Sequence, residues 1–190
     1  DVVNGVDHRA YDDEAAALCG ASPTALFQAA VGRHDAVTFT ATTLLGCIFG
    51  YKEASFVVAS LLLHVLNTVL LYKFCCKFAS GRRNASERVI STAAMFASIV
   101  FAVHPLRSDV VCGPSNLAYS LTLCLGLCST ITFLSTFRTR SLLAACVFAV
   151  MSAASYALAS MATPLIAPLP VVYVLGVLGG YQRSQPLLSS

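Results

Sequence analysis

The chain has 190 residues, 57% hydrophobic and 11% charged, with a formal net charge of +3 and no Trp. Soluble domains carry roughly 25% charged residues, so this composition, with mean hydropathy +0.75, is that of an integral membrane protein. A small positive balance confined to loops, with no basic run interleaved with aromatics, is not the footprint of a nucleic-acid partner.

The first 35 residues form an acidic arm, in which Asp1, Asp7, Asp12, Asp13 and Glu14 stand against Arg9 in "DVVNGVDHRAYDDEAAALCG". It starts without Met and without a signal-peptide pattern, which predicts an upstream segment that was removed or omitted. Ala36 to Tyr51 follows, 16 uncharged residues containing four threonines, Gly46 and Gly50. An interfacial or re-entrant helix suits it as well as a crossing does. Beyond it, no Asp, Glu, Lys or Arg occurs in 54–72, 89–106, 110–137 or 141–182. A crossing needs about 20 apolar residues, so five spans are predicted: Ala54 to Tyr72, Val89 to Val103, Leu117 to Phe137, Ser141 to Ala159 and Pro164 to Gly179. The organisation is therefore an all-α membrane protein: arm 1–35, interfacial helix 36–51, bundle 52–182 and tail 183–190.

Loop charges orient it. Lys73, Lys77, Arg82, Arg83 and Arg88 against Glu87 place the 73–88 loop inside. Alternation then puts Arg138, Arg140 and Arg183 inside and "HPLRSD" and "SMATP" outside, with the acidic arm outside too if Ala36 to Tyr51 does not cross. The sequon Asn84-Ala85-Ser86 falls inside, where it is not glycosylated.

Two clusters carry candidate chemistry. Asp12 and Asp13 offer a general base at the membrane face; the plainer alternative is a solvated acidic loop. In "FAVHPLRSDVV", Pro105 ends the helix at the membrane surface. There His104 and Arg107 suit a lipid phosphate with Asp109 orienting one of them, or else the cluster simply anchors a short span. Within the first span His64 and Asn67 share a helix face, which suits packing between helices; a haem or chlorophyll axial ligand is the alternative for His64. The eight cysteines lack zinc spacing. Cys124 and Cys128 suit packing, Cys75 and Cys76 are acylation candidates by position, and Cys19 and Cys112, both outside, form a disulfide only in an oxidising compartment. No metal or cofactor is called for.

Read in order, "NGVDHRAYDDEAA", "HDAVTFTATTLLGCIFGYKEASFVVASLLLHVLNTVLLY", "FAVHPLRSDVV" and "ALASMATPLIAPLPVVYVL" resemble the landmarks of the transmembrane and tetratricopeptide-repeat-containing O-mannosyltransferases and their bacterial relatives. The resemblance implies a GT-C glycosyltransferase fold that takes mannose from a lipid phosphate to a protein hydroxyl. Asp12 or Asp13 would then be the base and His104, Arg107 and Asp109 the donor site. The chain departs from the pattern where the family's basic positions fall on Asp35 and Ala162, its Asn before "F-G" on Leu45, its Glu after "H-P" on Asp109, and "G-R-x-D" on Gly113 to Asn116. Two readings follow. One is a fragment or degenerate member of that family in the endoplasmic reticulum. The other is a non-catalytic accessory subunit of a larger membrane complex, of organellar inner-membrane or thylakoid type, whose partners are lipids and other membrane subunits. A small transporter fits less well, because no span contains a carboxylate.

Overall fold

The computed structural model describes residues 13, 17–19, 22–33, 35–80, 86–104, 117–163, 166–171 and 173, all of them helical or connecting, with no strand among them. Six helices follow in chain order: α1 (Pro23–Ala30), α2 (Ala36–Phe49), α3 (Glu53–Ala79), α4 (Glu87–Val103), α5 (Leu117–Thr136) and α6 (Leu142–Ser160). Three are long and apolar enough to cross a membrane: Ala54–Ala79 within α3, α5 and α6.

Local chemistry sets their limits. Ser22, Ser86 and Ser141 cap α1, α4 and α6, their hydroxyls accepting from the backbone N–H of Ala25, Val89 and Ala144. Glu87 then sits favourably in the first turn of α4. The threonines of α2, poor helix formers by themselves, turn their hydroxyls onto its own carbonyls: Thr40 to Ala36 (2.8 Å), Thr42 to Thr38 (3.0 Å) and Thr43 to Phe39 (2.8 Å). Gly50 ends the helix at φ 79°, a conformation that costs glycine nothing. At 14 residues, α2 is only about 21 Å long at the usual 1.5 Å rise, short of the roughly 30 Å hydrocarbon layer.

The long helices form a row in the order α4, α3, α5, α6, with α2 laid against α3 and α5 and α1 against α2. Central position explains why α5 buries the most: Leu117, Ser120, Thr122, Cys124, Gly126, Leu127, Ser129 and Ser135 are all buried, and most are small or polar. Between membrane helices apolar burial gives little drive, so close approach and hydrogen bonds decide the packing. Those bonds join every neighbouring pair. His64 Nε2 donates to the carbonyl of Ala102 (3.2 Å) between α3 and α4. Asn67 Nδ2 donates to the carbonyl of Ser120 (2.9 Å) between α3 and α5. Ser129 and Ser152 each donate to the other's carbonyl (2.9 Å) between α5 and α6.

The first span runs further than the charge-free window predicts, through Lys73 and Lys77 to Ala79. A lysine stem tolerates apolar surroundings when its ammonium finds oxygen, and Lys77 donates to Ser135 Oγ. The second and fourth predicted spans correspond to α4 and α6; at 17 residues α4 is the shorter of the two. Of the fifth, residues 166–171 and 173 are described. They follow α5 in its own direction: a Cβ at Gly126 would overlap Ile166, and Tyr173 stacks on Phe133 at 4.3 Å.

Candidate functional site

His104, at the end of α4, lies at the end of the row where α3 begins and α6 finishes. Here α1 and α2 make a core of their own, in which Ala30, Ala36 and Phe39 are buried and Leu18, Ala29 and Tyr51 pack around them. Gly46 permits this packing. Any side chain at that position would overlap the Tyr51 ring, which folds back across α2 from just beyond its end.

A disulfide between Cys19 and Cys47 ties the arm to the last turns of α2. Cys19 is thus engaged with Cys47 and not with Cys112, the partner open to it in an oxidising compartment, which lies outside the described residues. Cys47 lies inside an apolar stretch, and nothing in the sequence singles it out as a partner for Cys19. In the fold it is exposed at the surface of α2. Arg33 and Asp35 form an ion pair (3.3 Å) in the turn between α1 and α2, and the Arg33 guanidinium lies 4.3 Å above the centroid of the Phe39 ring.

This cap, which rests on α3 and α5, is also hydrogen-bonded to the end of α6. The backbone N–H of Val37 donates to the carbonyl of Met161 (3.4 Å), and Thr38 Oγ1 donates to the carbonyl of Ala162 (3.3 Å). The N-terminus of α2 thereby supplies donors to the carbonyls left over at the end of α6. Ala162 is 3% exposed and Thr38 8%, so the joint is closed. Thr163 extends it inward, its hydroxyl donating to Thr122 Oγ1 of α5 (3.1 Å).

Of the candidate catalytic residues, Asp13 is exposed and stands in the arm six residues before the disulfide; Asp12 lies outside the described residues. Of the candidate substrate-binding residues, His104 is exposed at the C-cap of α4, one turn past Phe101. Arg107 and Asp109 lie outside the described residues, as do the sequon asparagine and Gly113 to Asn116. His104 and Asp13 are thus the candidates whose placement is described. The chemistry this arrangement offers is an imidazole at a helix end and a solvent-facing carboxylate.

His64 is a packing residue: besides its bond to α4 it stacks on Phe101 at 5.4 Å. It and Asn67 reach to opposite neighbours, α4 and α5, rather than to each other. Three residues along a helix leave two side chains about 60° apart, wide enough to address two adjacent helices. Among the described residues no group of three or more His, Cys, Asp or Glu is placed to hold a metal ion.

No family model matches the chain, and neither a curated protein nor a solved structure does.

Proposed function

We propose that this chain is a non-catalytic subunit of a membrane complex, built on a helical layout like that of the lipid-linked-sugar transferases and closed where a transferase would hold its donor. The observation that carries the proposal is position 162. The family resemblance expects a lysine there, to meet a lipid phosphate. Instead Ala162 is buried and its carbonyl takes the Thr38 hydroxyl of α2. The second expected cation falls on Asp35, an anion already paired with Arg33. The outer faces of the terminal helices support a partnered or lipid-clad role, since Phe96 and Val103 of α4 and Leu142 and Leu143 of α6 are 70% or more exposed. In this reading α2 lies along the membrane surface, α4 and the segment after Pro164 bring the crossings to five, and the disulfide faces an oxidising compartment.

The transferase remains the second reading, favoured by His104, which stands exposed at the end of α4 where a phosphate ligand is required. Its base would be Asp12 or Asp13, its donor a lipid-phosphate mannose held by His104, Arg107 and Asp109, and its membrane the endoplasmic reticulum. The full-length protein, purified in lipid, should transfer no mannose from a dolichyl-phosphate donor to a hydroxyl-bearing peptide. Asp13→Asn and Arg107→Ala should assemble into the native complex as the parent does. Transfer by the parent that either variant abolishes with folding intact would overturn the subunit reading in favour of the enzyme.

A further inference from the structure

The opposite end of the row holds a second feature, unrelated to the family resemblance. Where α3 finishes, α4 begins and α5 turns into α6, an open groove of about 380 Å³ is lined by Lys73, Lys77 and Arg138, with Glu87, Tyr72 and Ser91 among its remaining walls. Three cations thus face one carboxylate, and they come from two separate parts of the chain, 65 residues apart between Lys73 and Arg138.

Neutral oxygens hold two of these cations in place. Lys77 donates to Ser135 Oγ; Arg138 donates through Nη1 to Ser80 Oγ (2.6 Å) and through Nη2 to the carbonyl of Lys77. None of these three bonds supplies a compensating negative charge. Two adjacent cations repel each other, and that repulsion falls when an anion sits between them. Guanidinium and ammonium donors converging from different helices are the usual ligands of phosphate oxygens. Tyr72 and Ser91, hydroxyl to hydroxyl at 2.9 Å across the α3–α4 seam, add neutral donors on the groove wall.

Loop charge places this end on the inner side of the membrane, where anionic headgroups concentrate, and basic pockets between membrane helices on that side are suited to them. We propose that the groove of Lys73, Lys77 and Arg138 is a binding site for a phosphate-bearing anion at the level of the inner-leaflet headgroups. The bound phosphate would draw together α3, α4 and the α5–α6 turn, which otherwise meet at this end through the few bonds described.

The test is lipid retention by the full-length protein reconstituted into nanodiscs of phosphatidylcholine alone or with one-fifth phosphatidylglycerol. Co-purifying lipid is counted by native mass spectrometry after transfer to mild detergent. The parent should retain phosphatidylglycerol over phosphatidylcholine. Lys73→Gln and Arg138→Gln should each weaken that preference about fivefold, the equivalent of one cation near an anionic surface. Among the described residues no hydrogen bond or ion pair involves the Lys73 side chain, which is exposed, so its variant keeps the measurement decisive if Arg138→Gln fails to assemble. Melting in phosphatidylcholine alone should be unchanged for Lys73→Gln. A second arm adds inorganic phosphate or glycerol phosphate. Protection from melting by these, lost in the same variants and without lipid preference, would assign the site to a soluble phosphate. Equal lipid retention in parent and variants, with no effect of soluble phosphate, would overturn the proposal.

Discussion

The cap and the helix row are held together by different physics. The cap of α1 and α2 resembles a fragment of a secreted domain, with a small apolar core around Phe39, an ion pair, a cation over a ring and a disulfide. The row reverses the arrangement. Its contacts are polar or small, with Ser60, Asn67 and Ser129 among its fully buried side chains, while large apolar groups such as Phe96 and Leu142 point away from it. In water the hydrophobic effect assembles the first kind of structure. In lipid it gives little preference between a neighbouring helix and an acyl chain, so specificity passes to hydrogen bonds and close approach. One chain of 190 residues uses both solutions, and α2, rich in threonine and buried on one side, is where they meet.

Disrupting the cap should have the largest effect. Cys47→Ser removes a bond that closes a 28-residue separation and should cost about 3 kcal/mol of local stability. Limited proteolysis from the cap side should then cleave between α1 and α2 much faster, while far-ultraviolet melting of the row stays where it was. If the row melts with the cap, the two are one cooperative unit and the distinction fails.

A smaller loss is expected inside the row. Gly126→Leu drives a side chain into Ile166 and should lower stability by about 2 kcal/mol, the cost of overpacking a close contact. Here the signature is inverted: thermal unfolding of the row shifts, and protease sensitivity of the cap does not. Gly126→Ala, which places one methyl near the flexible end of Ile166, should fall between the two. An unaffected Gly126→Leu protein would mean that the segment after α6 does not rest on α5.

The mildest effect belongs to the hydrogen bonds themselves. A double-mutant cycle of Ser129→Ala and Ser152→Ala should give a coupling of about 0.6 kcal/mol, the average found for such pairs in membranes. The same cycle on Arg33 and Asp35, exposed to water at 28% and 29%, should give no more than about 0.5 kcal/mol and should shrink with added salt. Salt dependence in the serine pair as well would mean that it too lies in water.

Much of the row was legible beforehand because charge segregation and span length are one-dimensional signals. The spans drawn within the stretches free of Asp, Glu, Lys and Arg match α4, α5 and α6 to within two residues and stop short of the run of α3 through Lys73 and Lys77; of the fifth, residues 166–171 and 173 are described. The cap was not legible. Cys47 and Gly46 sit in an apolar run that looks destined for lipid, and what decides their role is which side of a 14-residue helix meets Tyr51 and Cys19. That is a three-dimensional relation without a period in the sequence. Position 162 was legible only as a missing cation; that its carbonyl fastens α2 could not be read from an alanine. His104 was rightly placed at a helix end by the proline that follows it, since the residue before proline resists the helical conformation.

The reciprocal bonds between Ser129 and Ser152 also govern motion. Each hydroxyl reads the carbonyl of the opposite serine, so a slide of α6 along α5 by one residue, about 1.5 Å, breaks both at once, and a rotation of either helix about its axis does the same. Pistons and screws are therefore disfavoured at this pair. Whatever displaces α6 carries α5 with it as one lever, and a mechanical signal arriving at either end of this protein would travel as a tilt.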